Sequence, residues 1–516
     1  MKSPEDLFHL IKSMSRSEKR YFKVSSAQNA FKEEKNYIKI FNSIDKQQVY
    51  NKDKLLKLFI EEKTINALHA AKSYLYYLIL RSLRNFHAGK STDREIHELL
   101  DYVELLFEKQ LYKQCIKVLK RASEIALKTE QFLHLLKINN WHYKILREMQ
   151  DVEDLKELLN TLPAQEQQLM KQYMNCREYE WNICEMQITY AETGVPRNKN
   201  EARVIEAVMR KILRVKNTPL SARANFFSAY IPYFNAFISS NYKQMYHYAK
   251  QIVHLLEAFP DFEKEYAKIY ILMLDNMIHA ASRIKKYDAI LACVEKIRSL
   301  KATSEHIKEM IFLHSYYAEL RYYFATGKFR EGILLAQELE SKIATIHYTK
   351  INKLTLQNIY QSFIYLYMGA MEYSTALKYV NKFINKELNV KYNTDCEIHI
   401  ANLIIHYELG NTDLLEYLLK STHRFLYKRR RLLKFEAYIL VFIKNVIHSG
   451  NVAHKITEAF IDLKEKLVTL SESEDPFEKA KYELFDYISW LESKIENRNF
   501  ADVIREKAIS EGEKQV

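Results

Sequence analysis

The residues of this chain best suited by type to hold a metal ion are Cys396, His399 and His406. At i, i+3 and i+10 they share one helical face and offer soft and borderline donors. Phosphate chemistry has a weaker pointer. Gly327 and Gly332 have the spacing of the outer P-loop glycines, but Ile333 stands where that motif requires Lys, and the preceding segment reads as helix. Neither H-E-x-x-H nor G-x-S-x-G occurs, and no acid, base and nucleophile have a recognisable spacing, so an enzyme is not expected. Charge is the remaining chemistry. Arg16, Lys19, Arg20 and Lys23 follow i, i+3, i+4 and i+7, so a helix from Ser15 gathers four cations on one side while Tyr21 and Phe22 face elsewhere. Such a strip suits phosphates, with salt-sensitive binding, or an acidic partner surface. It is equally the solvated face of a helix docked by its aromatics. A second basic cluster, Lys428-Arg429-Arg430-Arg431 with Lys434, surrounds a helix start and reads as an exposed loop or helix end, a candidate second docking point.

The elements that position these side chains are helices. Eight glycines and seven prolines in 516 residues compare with an average usage of roughly 12% for the two together. Sandwiches, barrels, propellers and doubly wound sheets are nearly excluded, because each needs a turn residue every few positions. A chain of this length also exceeds what one core organises, which points to several units or an open-ended array. The 37 tyrosines and 26 phenylalanines supply large surfaces for helix packing. Ser3-Pro4 and the capping-box spacings Ser15 to Glu18 and Thr92 to Glu95 place helix starts. Helices are expected over 37–46, 54–62 and 64–88, with a boundary near Gly89. The expected organisation is a basic N-terminal helical module over 1–90, a repeat array over 91–474, and a C-terminal capping helix with a polar tail over 475–516.

Self-similarity carries the array. Tyr316, Tyr323, Phe329 and Gly332 align with Tyr360, Tyr367, Tyr373 and Ala376, each set an aromatic pair seven apart, a break, an aromatic, then a tiny residue that lets two helices approach. Tyr287 to Ile290, Tyr242 to Met245 and Tyr112 to Cys115 repeat the second half, and Gly410 marks a further turn. A unit of about 40 to 45 residues recurs. In this register His399 and His406 take the places of Tyr316 and Tyr323, so they are expected as that unit's packing pair, with no metal bound. A hairpin of this size cannot bury its apolar face alone; successive hairpins stack into an α-solenoid. Asp475-Pro476 is expected to cap a last helix with Phe477, Leu484, Ile488, Leu491 and Ile495 along one stripe, and Ser510 to Val516 look too polar to order.

The pattern resembles the tetratricopeptide repeat, in which helix A ends in a Gly-x-aromatic turn and helix B begins x-x-Ala; Gly327-Lys328-Phe329-Arg330-Glu331-Gly332 and Glu372-Tyr373-Ser374-Thr375-Ala376 match best. The period exceeds the usual 34 residues and the terminal proline is missing, so longer helices are implied over roughly residues 92 to 470. The words Ser13 to Lys23 and Tyr74 to Arg84 are also similar to those of an uncharacterised bacterial family of the Bacteroidetes type that carries such arrays, a likeness that brings no established activity with it. The resemblance implies that helix A lines a concave groove, where the positions that face a bound peptide fall on His314, Tyr317 and Arg321 in one unit and Asn358, Gln361 and Tyr365 in the next.

The start of the chain lacks the features of a secretory signal, apolar runs are far shorter than the ~18 residues a bilayer demands, and five cysteines show no C-x-x-C. A cytoplasmic protein without membrane insertion or cofactor is expected. Residues 1–90 hold 18 Lys and Arg against 9 Asp and Glu, most of the formal charge of +13. The leading expectation is a non-enzymatic scaffold binding a protein or peptide. The alternative is a nucleic-acid-associated regulator whose basic module meets phosphates while the array senses a ligand.

Overall fold

The computed structural model describes residues 5–28, 34–51, 55, 65–89, 91–193, 196, 199–214, 218–259, 265–302, 304–345, 353–384, 394–428, 432–450, 452–473 and 485–513. Among them every regular element is an α-helix, 23 in all, and consecutive helices pack against one another. The all-α class and the stacked-hairpin order expected from the sequence are what the chain adopts. The Ser3-Pro4 and Asp475-Pro476 starts, Arg429 to Arg431, and all of 54–62 except Leu55 lie outside the described residues. The chain divides into two compact units, Met1–Pro163 and Ala164–Val516. The division falls at a proline inside the Val152–Thr193 helix, where the missing N–H removes one backbone hydrogen bond.

In the first unit, helices Asp6–Ser13, Arg16–Gln28, Glu34–Lys46 and Ile65–Phe86 surround a core that includes Leu7, Ile11, Phe22, Phe41, Leu75 and Ile79. Ser15 and Glu18 cap the second of these reciprocally: the Glu18 N–H donates to Ser15 Oγ at 3.2 Å and the Ser15 N–H to Glu18 Oε2 at 2.6 Å. The Thr92–Glu108 helix starts one residue away from the expected cap. Ser91 accepts the Arg94 N–H at 3.3 Å, while Thr92 is buried at the first helical position. Tyr112–Lys128 and Phe132–Met149 follow as antiparallel neighbours.

The second unit continues as hairpins: Ala222–Ile238 with Tyr242–Glu257, Ala267–Arg283 with Tyr287–Ser299, Glu305–Ala325 with Phe329–Thr345, Lys353–Gly369 with Tyr373–Ile384, Thr394–Glu408 with Thr412–Lys428, and Lys434–His448 with Ala453–Ser471. Each first helix closes on a residue of positive φ: Ser240, Lys285, Gly327, Met371, Gly410 and Gly450, and again Asn497 before the last helix. After each of these except Gly450, whose next residue lies outside the described ones, the following N–H reaches back to a carbonyl five residues earlier, as in Lys328 to Tyr323 at 2.9 Å, Glu372 to Tyr367 at 2.8 Å and Asn411 to His406 at 3.0 Å. This is the Schellman closure, and the positive-φ positions recur every 39 to 47 residues. Only three of these seven positions carry glycine; the others hold a side chain at a cost of roughly 1–2 kcal/mol each.

The aligned residues do the packing expected of them, in differing degrees. Tyr360 and Tyr367 are buried and both meet Tyr379 of the partner helix, with ring centroids 5.9 and 5.6 Å apart. Tyr316 is only half-buried and is held by polar contacts: it donates to Glu338 at 2.7 Å and accepts from Lys342 at 2.7 Å. Gly332 is small because it must be: a Cβ there would lie 2.6 Å from Leu366 Cδ1 and 3.2 Å from Tyr323 Cβ.

The C-terminal residues do more than end a stack. Tyr487–Ile495 and Phe500–Glu513 fold back over earlier hairpins of the same unit. Phe500 stacks on Phe329 and on Phe485, at 5.7 and 5.3 Å, and Arg505 Nε donates to the Gly327 carbonyl at 3.1 Å. Trp490 Nε1 and Lys494 Nζ both donate to Glu408, at 2.7 and 2.6 Å. Leu491 is fully buried, and Ile488 and Ile495 pack at the margin of the core; Phe477 and Leu484 of the expected stripe lie outside the described residues. The expectation that residues from Ser510 onward are unstructured is corrected for Ser510 to Glu513: they continue a helix anchored by buried Phe500, Val503 and Ile504. No helix among the described residues is long and apolar enough to cross a membrane.

Candidate binding pocket

Five of the six groove positions converge. Tyr317 and Arg321 from Glu305–Ala325, and Asn358, Gln361 and Tyr365 from Lys353–Gly369, line one pocket of about 290 Å³ in the second unit. They do so because both are first helices of successive hairpins, packed side by side, and i, i+3 or i+4, and i+7 positions share a face. His314 does not join them. It is buried, with Nδ1 3.4 Å from Asp275 Oδ2 on the preceding first helix, and it faces that helix rather than the pocket.

The pocket is a half-open recess more than a groove. Gln361 and Tyr365 are themselves buried, and Tyr365 stacks on Phe485 at 5.9 Å. The C-terminal segment supplies Phe485, Asp486, Ile488 and Ile504 to the lining, while Ser282, Arg283, Lys285 and Tyr287 come from the hairpin before. These two groups escape a reading by repeat alone. Of these, Tyr287 had a signal, since it occupies the aromatic position of the repeat; Lys285 and the C-terminal residues had none.

Electrostatically the recess is cationic on one side. Arg321 Nη2 donates to His279 Nδ1 at 2.8 Å, and its guanidinium lies 5.6 Å from the Tyr317 ring centre. Burial, reinforced by Arg321 and Arg283, pushes the His279 pKa well below the usual imidazole value, so the ring stays neutral and accepts that bond. Burial also raises the Tyr317 and Tyr365 phenols above their ordinary range, which keeps both as neutral hydrogen-bonding groups. The acid in the lining, Asp486, is committed to its own helix, accepting the Ser489 N–H at 2.9 Å and hydroxyl at 2.5 Å. Asn358 is partly exposed, and Gln361 Nε2 reaches Glu397 at 3.3 Å.

The basic strip of the first unit is divided. Lys19 pairs with Asp45 at 2.7 Å and Lys23 lies 5.3 Å from the Phe41 ring centre, whereas Arg16 and Arg20 are exposed. Tyr21 packs on Phe86 at 5.3 Å and Phe22 is buried, so the aromatics dock the helix. Of the three residues suited to a metal, His399 lies 4.1 Å from Phe425, centre to centre, and His406 is buried with Nδ1 3.0 Å from the Asn411 amide. Burial lowers the His406 pKa. Cys396 is buried; the five cysteines are free thiols, and Cys184 is the exposed one. No family model matches the chain, and neither does any curated protein.

Proposed function

We propose that this chain is a non-enzymatic helical-repeat protein that binds a protein or peptide partner, and that one polar or acidic side chain of the partner seats in the recess beside Arg321. The observation that supports this reading is the convergence of Tyr317, Arg321, Asn358, Gln361 and Tyr365 on one pocket of about 290 Å³. That volume lies at the small end of ligand pockets, which run to roughly 300–1,000 Å³, and suits a single side chain or a terminal group rather than an extended strand. Arg321, Arg283 and Lys285 favour an anionic or amide end, and Tyr317, Leu320 and Phe324 receive its aliphatic stem. Arg16 and Arg20 supply a secondary contact for an acidic surface; with Lys19 and Lys23 engaged inside the unit, the strip favours phosphate tracking less.

The test is selection of random peptides displayed against the full chain. Enriched sequences are expected to share an Asp, Glu, Asn, Gln or free carboxylate at one position, and to bind about 10- to 100-fold more weakly to Arg321→Gln. Because Arg321 also holds His279, Asn358→Ala serves as a second variant whose loss leaves the helix contacts intact. Enrichment of peptides indifferent to both variants, or binding of mixed RNA and DNA in preference to any peptide, overturns the reading.

A further inference from the structure

Asp93, His97 and His134 bring one ligand atom each to within 4.8 Å of one another, and no reading of the repeat accounts for them. Asp93 and His97 stand at i and i+4 on the first turns of Thr92–Glu108, so they project from the same face. His134 lies on Phe132–Met149, which meets Thr92–Glu108 within the first unit. His134 Nε2 is 2.7 Å from Asp93 Oδ1, His97 Nε2 is 4.0 Å from Asp93 Oδ2, and the two imidazoles sit edge to face with centres 4.7 Å apart. His134 is largely covered, its side chain 11% exposed, while the other two are open to solvent. Arg94, next to Asp93, is turned away and donates from Nη1 to the His87 carbonyl at 3.3 Å. Glu95 is tied to Arg121 at 3.2 Å.

We propose that Asp93, His97 and His134 form a binding site for a divalent first-row transition ion of the zinc type. Two imidazoles and a carboxylate are the donor set such an ion takes, with the solvent-facing side left for water. Zinc–ligand bonds of about 2.0–2.2 Å at tetrahedral angles place donors roughly 3.3 Å apart. The present separations bracket that value, so rotation of the exposed Asp93 and His97 side chains brings all three into range without moving a backbone. The ion replaces the His134–Asp93 hydrogen bond and ties Thr92–Glu108 to Phe132–Met149.

The experiment titrates the chelator-stripped full chain with zinc by calorimetry and with cobalt by visible absorption. One equivalent per chain is expected to bind tighter than the background of the other histidines, with a cobalt spectrum of nitrogen and oxygen ligation. Asp93→Asn, His97→Ala and His134→Ala are each expected to weaken binding by at least about tenfold. Asp93 and His97 are exposed, so their variants fold, and circular dichroism checks His134→Ala. Retention of the stoichiometric site in any of the three variants overturns the proposal, as does the absence of any binding step above background.

Discussion

The turns at Gly327 and Gly410 share one local structure, a Schellman closure on a glycine at φ +67° and +70°, and differ in what lies over them. A Cβ on Gly410 would meet nothing within 4 Å, whereas one on Gly327 would lie 2.7 Å from the Ala501 carbonyl oxygen and 3.0 Å from Arg505 Cγ. The repeat builds both turns; the returning C-terminal helices reach Glu408 beside the second but press directly on the glycine only at the first. Conformational need alone places glycine at 410, while at 327 it is needed for both conformation and space. The same return walls one side of the recess next to Arg321, because Phe485, Asp486, Ile488 and Ile504 belong to the returning segment.

The hardest way to break this difference is to release the segment. Trp490 is buried against Phe442 and Phe460 and donates to Glu408. Trp490→Ala is expected to cost about 3–5 kcal/mol. Urea unfolding reads the cost, and hydrogen exchange should show protection lost over 485–513 and at the Gly327 turn, with a smaller loss at the Gly410 turn, where only the contact to Glu408 goes. Equal loss at both turns would mean that the two are not distinct.

Gly327→Ala should come next, at about 2–4 kcal/mol, combining the left-handed penalty with a collision against backbone. Gly410→Ala, with only the conformational term, should cost about 1–2 kcal/mol. The two variants together measure the contribution of the covering segment, and similar losses would count against it.

The smallest effect at neutral pH comes from His279. Its folded pKa lies well below the ordinary 6.5 because burial, Arg321 and Arg283 oppose its charge. Below pH 6.5 the unfolded chain takes up a proton that the folded chain refuses, so this stabilisation is complete above pH 6.5 and is lost as the pH falls from there toward the folded value. His279→Gln should flatten the acid limb of a stability–pH curve while leaving stability above pH 7 less changed.

Much of this was legible in the residues. The shortage of glycine and proline pointed to helices, and the spacing of Tyr316, Tyr323, Phe329 and Gly332 against Tyr360, Tyr367, Tyr373 and Ala376 placed the hairpins, because stacked hairpins repeat their contacts at each turn of the array. His399 on Phe425 follows from that register. Ser240, Lys285, Met371 and Asn497 did not announce their turns, since the Schellman closure is set by backbone geometry that these side chains tolerate but do not signal. The split of the basic strip was equally hidden, because it depends on Asp45 and Phe41 of another helix.

By itself, then, the amino-acid order determined helix type and hairpin period, both consequences of periodicities within about 45 residues, while the six groove positions came from the likeness to a repeat family. The fold alone decided that His314 turns to Asp275, that Phe500 reaches Phe329, and that Asp93, His97 and His134 meet. Those pairings join residues from different helices, up to 171 positions apart. No local spacing encodes them; they arise from how the apolar faces of whole helices find cover.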